Sequence, residues 1–248
     1  SVGIGWNLLS AAIGAVIAYL IAWGYAWLVG TRRVASWVGS PPAADDDPPM
    51  SRRGALGLVA GVGLGVFIIA VTCIRPLATT GWAGIGTPSQ VWDSLWHASS
   101  LQWITDTGIA SSERMGELMN YDTHGFNYYP NTWHALGALV SPLVGTSNSI
   151  ELYNTYSPAT LAVTVPFGVA ALAYWCARHR LGADRSAFIA AVSAPVSALF
   201  PSLPYVEIWL TSVPNAVGVS LAPVAAVLVI SAVRDRRRVL PATVALSG

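Results

Sequence analysis

Asp93 and His97 stand four residues apart in VWDSLWHASSLQWITDTG, residues 91–108. On a helix that spacing puts both on one face. A carboxylate beside an imidazole is the pairing that proteins use to take up and pass on protons. The same pair on a solvated helix adds only about 0.2–0.5 kcal/mol of stability and does nothing more. Its setting argues for use: Trp92, Trp96 and Trp103 surround it, and long apolar runs lie on both sides. An ionisable pair at the edge of a low-dielectric region is expensive to keep there. A second cluster follows in NYDTHGFNYYPNTWH, residues 120–134, with Asp122, His124, Tyr128, Tyr129 and His134. Tyr, Asn and His are the side chains that hydrogen-bond to and stack on sugars, and they are equally at home in interfacial loops. A divalent metal site from Asp93, His97, Asp122 and His124 is conceivable, but these residues match no metal-ligand motif and no cofactor is expected.

These residues need a scaffold, and the composition says which kind. Of 248 residues, 54% are hydrophobic and 10% charged, against roughly 25% charged in soluble domains. This is the profile of an integral membrane protein, with no nucleic-acid partner expected. Eleven tryptophans and nine tyrosines suit aromatic belts at the two membrane surfaces. Spans long enough to cross with some tilt, or just short of the roughly 20 apolar residues required, are expected near 7–29, 55–73, 156–177, 186–201 and 214–233. Pro195, Pro201 and Pro204 should break or kink the fourth. The stretch VLPATVALSG at 239–248 reads as the start of a further helix, so the chain is expected to be part of a longer one.

All thirteen basic residues are Arg, and eleven of them fall on one side if the five spans alternate. That side should be cytoplasmic. The N-terminus and residues 74–154 are then extracytoplasmic, in a multi-pass protein of the cytoplasmic (inner) membrane. The Pro-rich, acidic loop at about 30–54 reads as a cytoplasmic linker, with Asp45, Asp46 and Asp47 solvated. Asp184 and Asp235, among arginines, read as local ion pairs. Cys73 and Cys176 belong to opposite faces and should not form a disulfide.

The expected fold is therefore all-α: a polytopic transmembrane bundle with a long external loop holding interfacial or re-entrant helices. Residues 1–73 form two spans, 74–154 the loop, and 155–248 three more spans. Within the loop, a surface-lying helix is expected over 90–106, capped by Ser89 and stopped by Gly108. A short apolar helix should begin at Asn131. Arg75 and Arg114 are the only cations in the external loop, and Glu207 lies in the second external loop.

A membrane helix followed by a large external loop opening with WDSLWHASSLQWITDTG resembles the GT-C class of integral membrane glycosyltransferases. YYPNTWHALGALV, with the preceding DTG, also resembles actinobacterial polytopic proteins of unknown function with a presumed envelope role. The likeness covers mainly residues 90–140. It implies a polyprenyl-phosphate-linked sugar as donor, a glycan or lipid acceptor, and Asp93 as the base. His97 would orient Asp93 or contact phosphate, while Arg75 or Arg114 would neutralise the leaving phosphate. Asp122, His124, Tyr128, Tyr129, His134 and Glu207 would contact substrate. The rival readings are a lipid or polysaccharide transporter and a scaffold subunit of an envelope-assembly complex with further subunits. No Asp or Glu falls near the centre of a span, as a transporter would favour.

Overall fold

A computed structural model describes residues 5–31, 48–79, 81–89, 91–118 and 128–234. Eight α-helices account for most of them: α1 Leu8–Thr31, α2 Arg52–Thr79, α3 Trp92–Thr107, α4 Thr132–Val144, α5 Ser149–Leu181, α6 Ala183–Ser197, α7 Glu207–Leu210 and α8 Val213–Arg234. No strand element occurs among the described residues. Three stretches are long and apolar enough to cross a membrane: Arg52–Arg75, Ser149–Arg178 and Val213–Ala232. A fourth crossing is available if α6 and Pro201–Leu210 form one span, bent by 47°. Leu8–Ile21 and Thr132–Val144 are shorter apolar helices. The chain is a membrane protein.

The break after α6 follows from its prolines. Pro201 and Pro204 lack the N–H a helix needs, and Leu203 between them is extended at φ −138°, ψ 117°. A short irregular turn carries the chain into α7. Thr211 then adopts a left-handed conformation, φ 62°, before α8 begins.

Helices α2, α5, α6 and α8 form the bundle, and glycine lets them approach. A Cβ on Gly61 would run into the backbone of Ala191, and one on Gly168 into the carbonyl of Ser220. Gly65 is closed off by Pro166 and by the carbonyl of Ala194. In lipid, where apolar helices gain little from hiding surface, such close approach supplies the attraction. At one end of the bundle the Ser51 N–H donates to Asp184 Oδ1 at 2.8 Å. The starts of α2 and α6 therefore lie side by side. Asp184 forms no ion pair among the described residues; it holds the entry to α2 instead. Asp235 lies outside the described residues. Both cysteines are free thiols.

At the other end the block α3–α4 packs on α5. The main core, including Ile69, Leu101, Trp133, Leu152, Leu161, Val165 and Val213, is where this block meets the bundle. The chain ahead of α1 is fastened to it: the Trp6 N–H donates to Gly108 O at 2.6 Å, and the Trp6 indole to Ala135 O at 2.8 Å.

Several expected boundaries shift. α2 continues to Thr79 and α5 starts at Ser149, so the segment between them is shorter than 74–154 at both ends. The reason at Ser149 is a cap: the Asn148 side chain accepts from Ile150 N and Glu151 N. α3 is capped at Val91 rather than Ser89 and has no side-chain cap, but it stops at left-handed Gly108 as expected. It is not among the helices apolar and long enough to cross. Asn131 does precede α4, yet its side chain is turned inward. There it accepts from Ser112 Oγ at 2.8 Å. Of the 30–54 loop, residues 32–47 lie outside the described residues, as do 235–248.

Candidate functional site

Helix α3 presents Asp93 to solvent and, one turn on, buries His97, which is 4% exposed. The i, i+4 relation gives a shared direction along the helix face, and the packing of α4 then decides which of the two is covered. Asp93 and His97 interact through space, without a hydrogen bond. The partner of His97 is instead His134 from the first turn of α4: Nδ1 of His97 lies 2.9 Å from Nε2 of His134. His134 is completely buried.

Aromatic rings enclose the pair. Tyr153 of α5 stacks on His97 at 5.9 Å, and Trp133 meets His97 and His134 edge-on at 6.0 and 5.0 Å. Tyr129 lies 5.7 Å from His134 and 5.3 Å from Trp96. The turn between α7 and α8 closes the far side. The Thr211 carbonyl accepts from the Tyr153 hydroxyl at 3.4 Å. The Thr211 backbone also favours the protonated form of His97.

This environment sets the charge state. Burial pushes His97 below the usual imidazole range, against the opposing pull of Asp93 and Thr211. Burial, with a smaller contribution from His97, pushes His134 down to about 3. Both rings are neutral at pH 7. One ring of the pair donates to the other, in a direction set by their tautomers. His134 Nδ1 is buried without a hydrogen-bond partner. Trp96 Nε1 is also buried without one. Burial raises the Tyr129 hydroxyl above its ordinary value, and the nearby Trp96 indole opposes that shift. The indole is close enough to be felt there but short of hydrogen-bond geometry.

The other candidates separate from this cluster. Tyr128 is exposed and adjoins Tyr129. Arg114 is engaged by Glu117 through two contacts, 2.5 Å at Nε and 2.8 Å at Nη2. Arg75 lies in the last part of α2 and is exposed. Glu207 accepts a short hydrogen bond from Ser212 Oγ and so fastens the turn that carries Thr211. Asp122 and His124 lie outside the described residues. Among the described residues no three His, Cys, Asp or Glu side chains group to hold a metal ion.

Sequence reasoning named His97 and His134 but did not join them, since they are separated by 37 residues. Trp96, Trp133, Tyr153 and Thr211 were not among its candidates. The Trp-rich composition of residues 91–103 was the available signal for Trp96. Nothing local marks Thr211, because a β-branched residue is among the least expected in the left-handed region.

The chain belongs to a family of unknown function, DUF6541, whose model matches residues 1–247. No curated protein and no solved structure matches it.

Proposed function

We propose that this DUF6541 protein is a glycosyltransferase of GT-C type, using a polyprenyl-phosphate-linked sugar on the extracytoplasmic side of the cytoplasmic membrane. The observation that carries this reading is Asp93: a solvent-facing carboxylate at the first turn of α3, one turn from a neutral, aromatic-walled histidine pair. The site lies between the end of α2 and the start of α5, whereas Arg52, Arg53, Arg178, Arg180 and Arg185 cluster at the other ends of α2, α5 and α6. The positive-inside rule then puts Asp93 outside, where sugars arrive on lipid carriers.

In the proposed reaction Asp93 accepts the proton of the acceptor hydroxyl. The hydroxyl oxygen bonds to the anomeric carbon, and the bond from that carbon to the phosphate oxygen breaks. Polyprenyl phosphate leaves with the electron pair. Because both imidazoles are neutral, no neighbouring cation competes for the Asp93 carboxylate. His97, being buried, neither contacts phosphate nor hydrogen-bonds Asp93; its part is to position α3 against α4. Exposed Arg75 suits the phosphate better than Arg114, whose guanidinium is already engaged by Glu117. Exposed Tyr128 is available for a sugar face. A divalent metal is not needed by this scheme.

The broken span from α6 to α7 is the observation that favours a transporter, since discontinuous helices build transporter sites. One experiment separates the two. In membranes containing the intact protein, Asp93→Asn should lower transfer from a labelled polyprenyl-phosphate sugar by about 10²–10⁴-fold, with unchanged membrane insertion. Full transfer activity in Asp93→Asn would sink the base assignment. Translocation of the labelled lipid without sugar transfer would establish the transporter.

A further inference from the structure

Helices α2 and α6 run parallel in close contact. Ser51 and Gly54 lie against Asp184, Gly61 against Ala191 and Gly65 against Ala194, an offset that stays nearly constant along both helices. Their N-termini therefore stand side by side, and the positive ends of two helix dipoles add instead of cancelling. Cations are disfavoured in such first turns. Yet the first turn of α2 holds Arg52 and Arg53 and no acid, and that of α6 holds Arg185 beside Asp184. All three arginines are exposed, and none forms an ion pair among the described residues. Asp184 already accepts from the Ser51 N–H. Arg178 and Arg180 at the same end belong to the C-terminus of α5, where cations are the ordinary complement of the dipole. The three on α2 and α6 have no such reason, and an anion from outside the chain would supply one.

The surroundings say what kind of anion. One span begins at Arg52 and another ends at Arg178, so these arginines lie in the headgroup layer, about 5–7 Å thick in each leaflet. One turn further toward the hydrocarbon the same faces become apolar. Leu56, four residues on from Arg52, is 60% exposed, and Phe188, three residues on from Arg185, is 70% exposed. A soluble anion would match the charge alone. A negatively charged phospholipid matches both, with its phosphate on the guanidinium forks and its chains against the apolar side chains.

We propose that the paired starts of α2 and α6, with Arg52, Arg53 and Arg185, form a docking surface for the headgroup of an anionic phospholipid, whose acyl chains lie on Leu56 and Phe188. With the arginines cytoplasmic, as the positive-inside rule has them, the lipid belongs to the inner leaflet, the anionic one. The surface is at the far end of the bundle from Asp93, so it stands whether or not Asp93 acts as a base.

The test uses the intact protein, delipidated in neutral detergent and supplied with dioleoyl phosphatidylglycerol or dioleoyl phosphatidylcholine, with bound lipid counted by native mass spectrometry. Phosphatidylglycerol should bind about tenfold more tightly, equal to about 1.4 kcal/mol, and added salt should narrow the difference. Arg52→Gln combined with Arg185→Gln should remove most of that preference and leave phosphatidylcholine binding unchanged. Its melting temperature in phosphatidylcholine should equal or exceed that of wild type, because two cations have left positive helix ends. Phe188→Ala should weaken both lipids alike. The proposal is overturned if wild type holds the two lipids equally, or if the double variant keeps the preference. It is overturned too if glycerol 3-phosphate, which has the charge without the chains, competes as well as the lipid. A preference that emerges only after Asp45→Asn, Asp46→Asn and Asp47→Asn would also overturn it, since the chain's own acidic run would then be the occupant.

Discussion

Between α2 and α6 the two backbones nearly touch, with Gly61 lying over the peptide group of Ala191. Between α3 and α4, Gly137 faces side chains, Leu101 and Tyr156, rather than a backbone. The joint there is made by the His97–His134 hydrogen bond, with Trp6, Ser112 and Asn131 tying the flanking chain to it. Each solution fits its surroundings. Apolar helices in lipid have little to gain by hiding surface, so they must earn contact through close van der Waals approach. At an aqueous edge, hydrogen bonds and rings can specify a unique arrangement, at the cost of desolvating polar groups. The bundle should therefore be sensitive to volume and indifferent to acid, and the α3–α4 block the reverse.

The largest effect expected on that contrast is Gly168→Val. Its added carbons would occupy the place of the Ser220 carbonyl, and a backbone cannot swing aside as a side chain can. Overpacking of this sort costs about 3 kcal/mol, and the yield of monodisperse protein in detergent should collapse. A normal yield would mean that α5 and α8 can separate without penalty.

Acid should act on the other region. Unfolded imidazoles titrate near 6.5, whereas in the folded protein His97 is lowered and His134 falls to about 3. Below about pH 6.5 the unfolded chain therefore holds more protons, and stability drops as pH falls toward the folded values. From pH 6.5 to 5.5 the loss should be about 1–2 kcal/mol, read as a falling melting temperature. His134→Gln should roughly halve that slope. A melting temperature that rises with acid would show that the pair is charged in the fold.

The smallest effect isolates volume from glycine itself. Gly63 lies in α2 with nothing within 4 Å of an added Cβ. Gly63→Ala should stabilise the helix by about 0.5–1 kcal/mol. Destabilisation would mean that this face of α2 is packed against something in the membrane.

How much of this was legible in the sequence differs between the same two regions. Hydropathy located α8 to within a residue at each end and found α2 and α5, though it stopped α2 short of Thr79 and began α5 late, and Pro201 and Pro204 announced the break. The early start of α5 was hidden because its first two turns, SIELYNT, break the apolar run with Ser149, Glu151, Asn154 and Thr155; the Asn148 cap begins it there. For the site, spacing revealed that Asp93 and His97 share a direction, but not that one is exposed and the other buried. That depends on α4, which no local pattern ties to α3. The pairing of His97 with His134 is a product of tertiary packing, as is the conformation of Thr211. Asp122 and His124 lie outside the described residues.

The bond from Ser51 to Asp184 joins residues 133 apart. At synthesis rates of about 5–20 residues per second, α2 emerges roughly 7–27 seconds before the helix it is shaped to receive. Its glycine face must wait in the membrane during that interval, held by lipid or by the insertion machinery, and the bundle closes late, when α6 arrives.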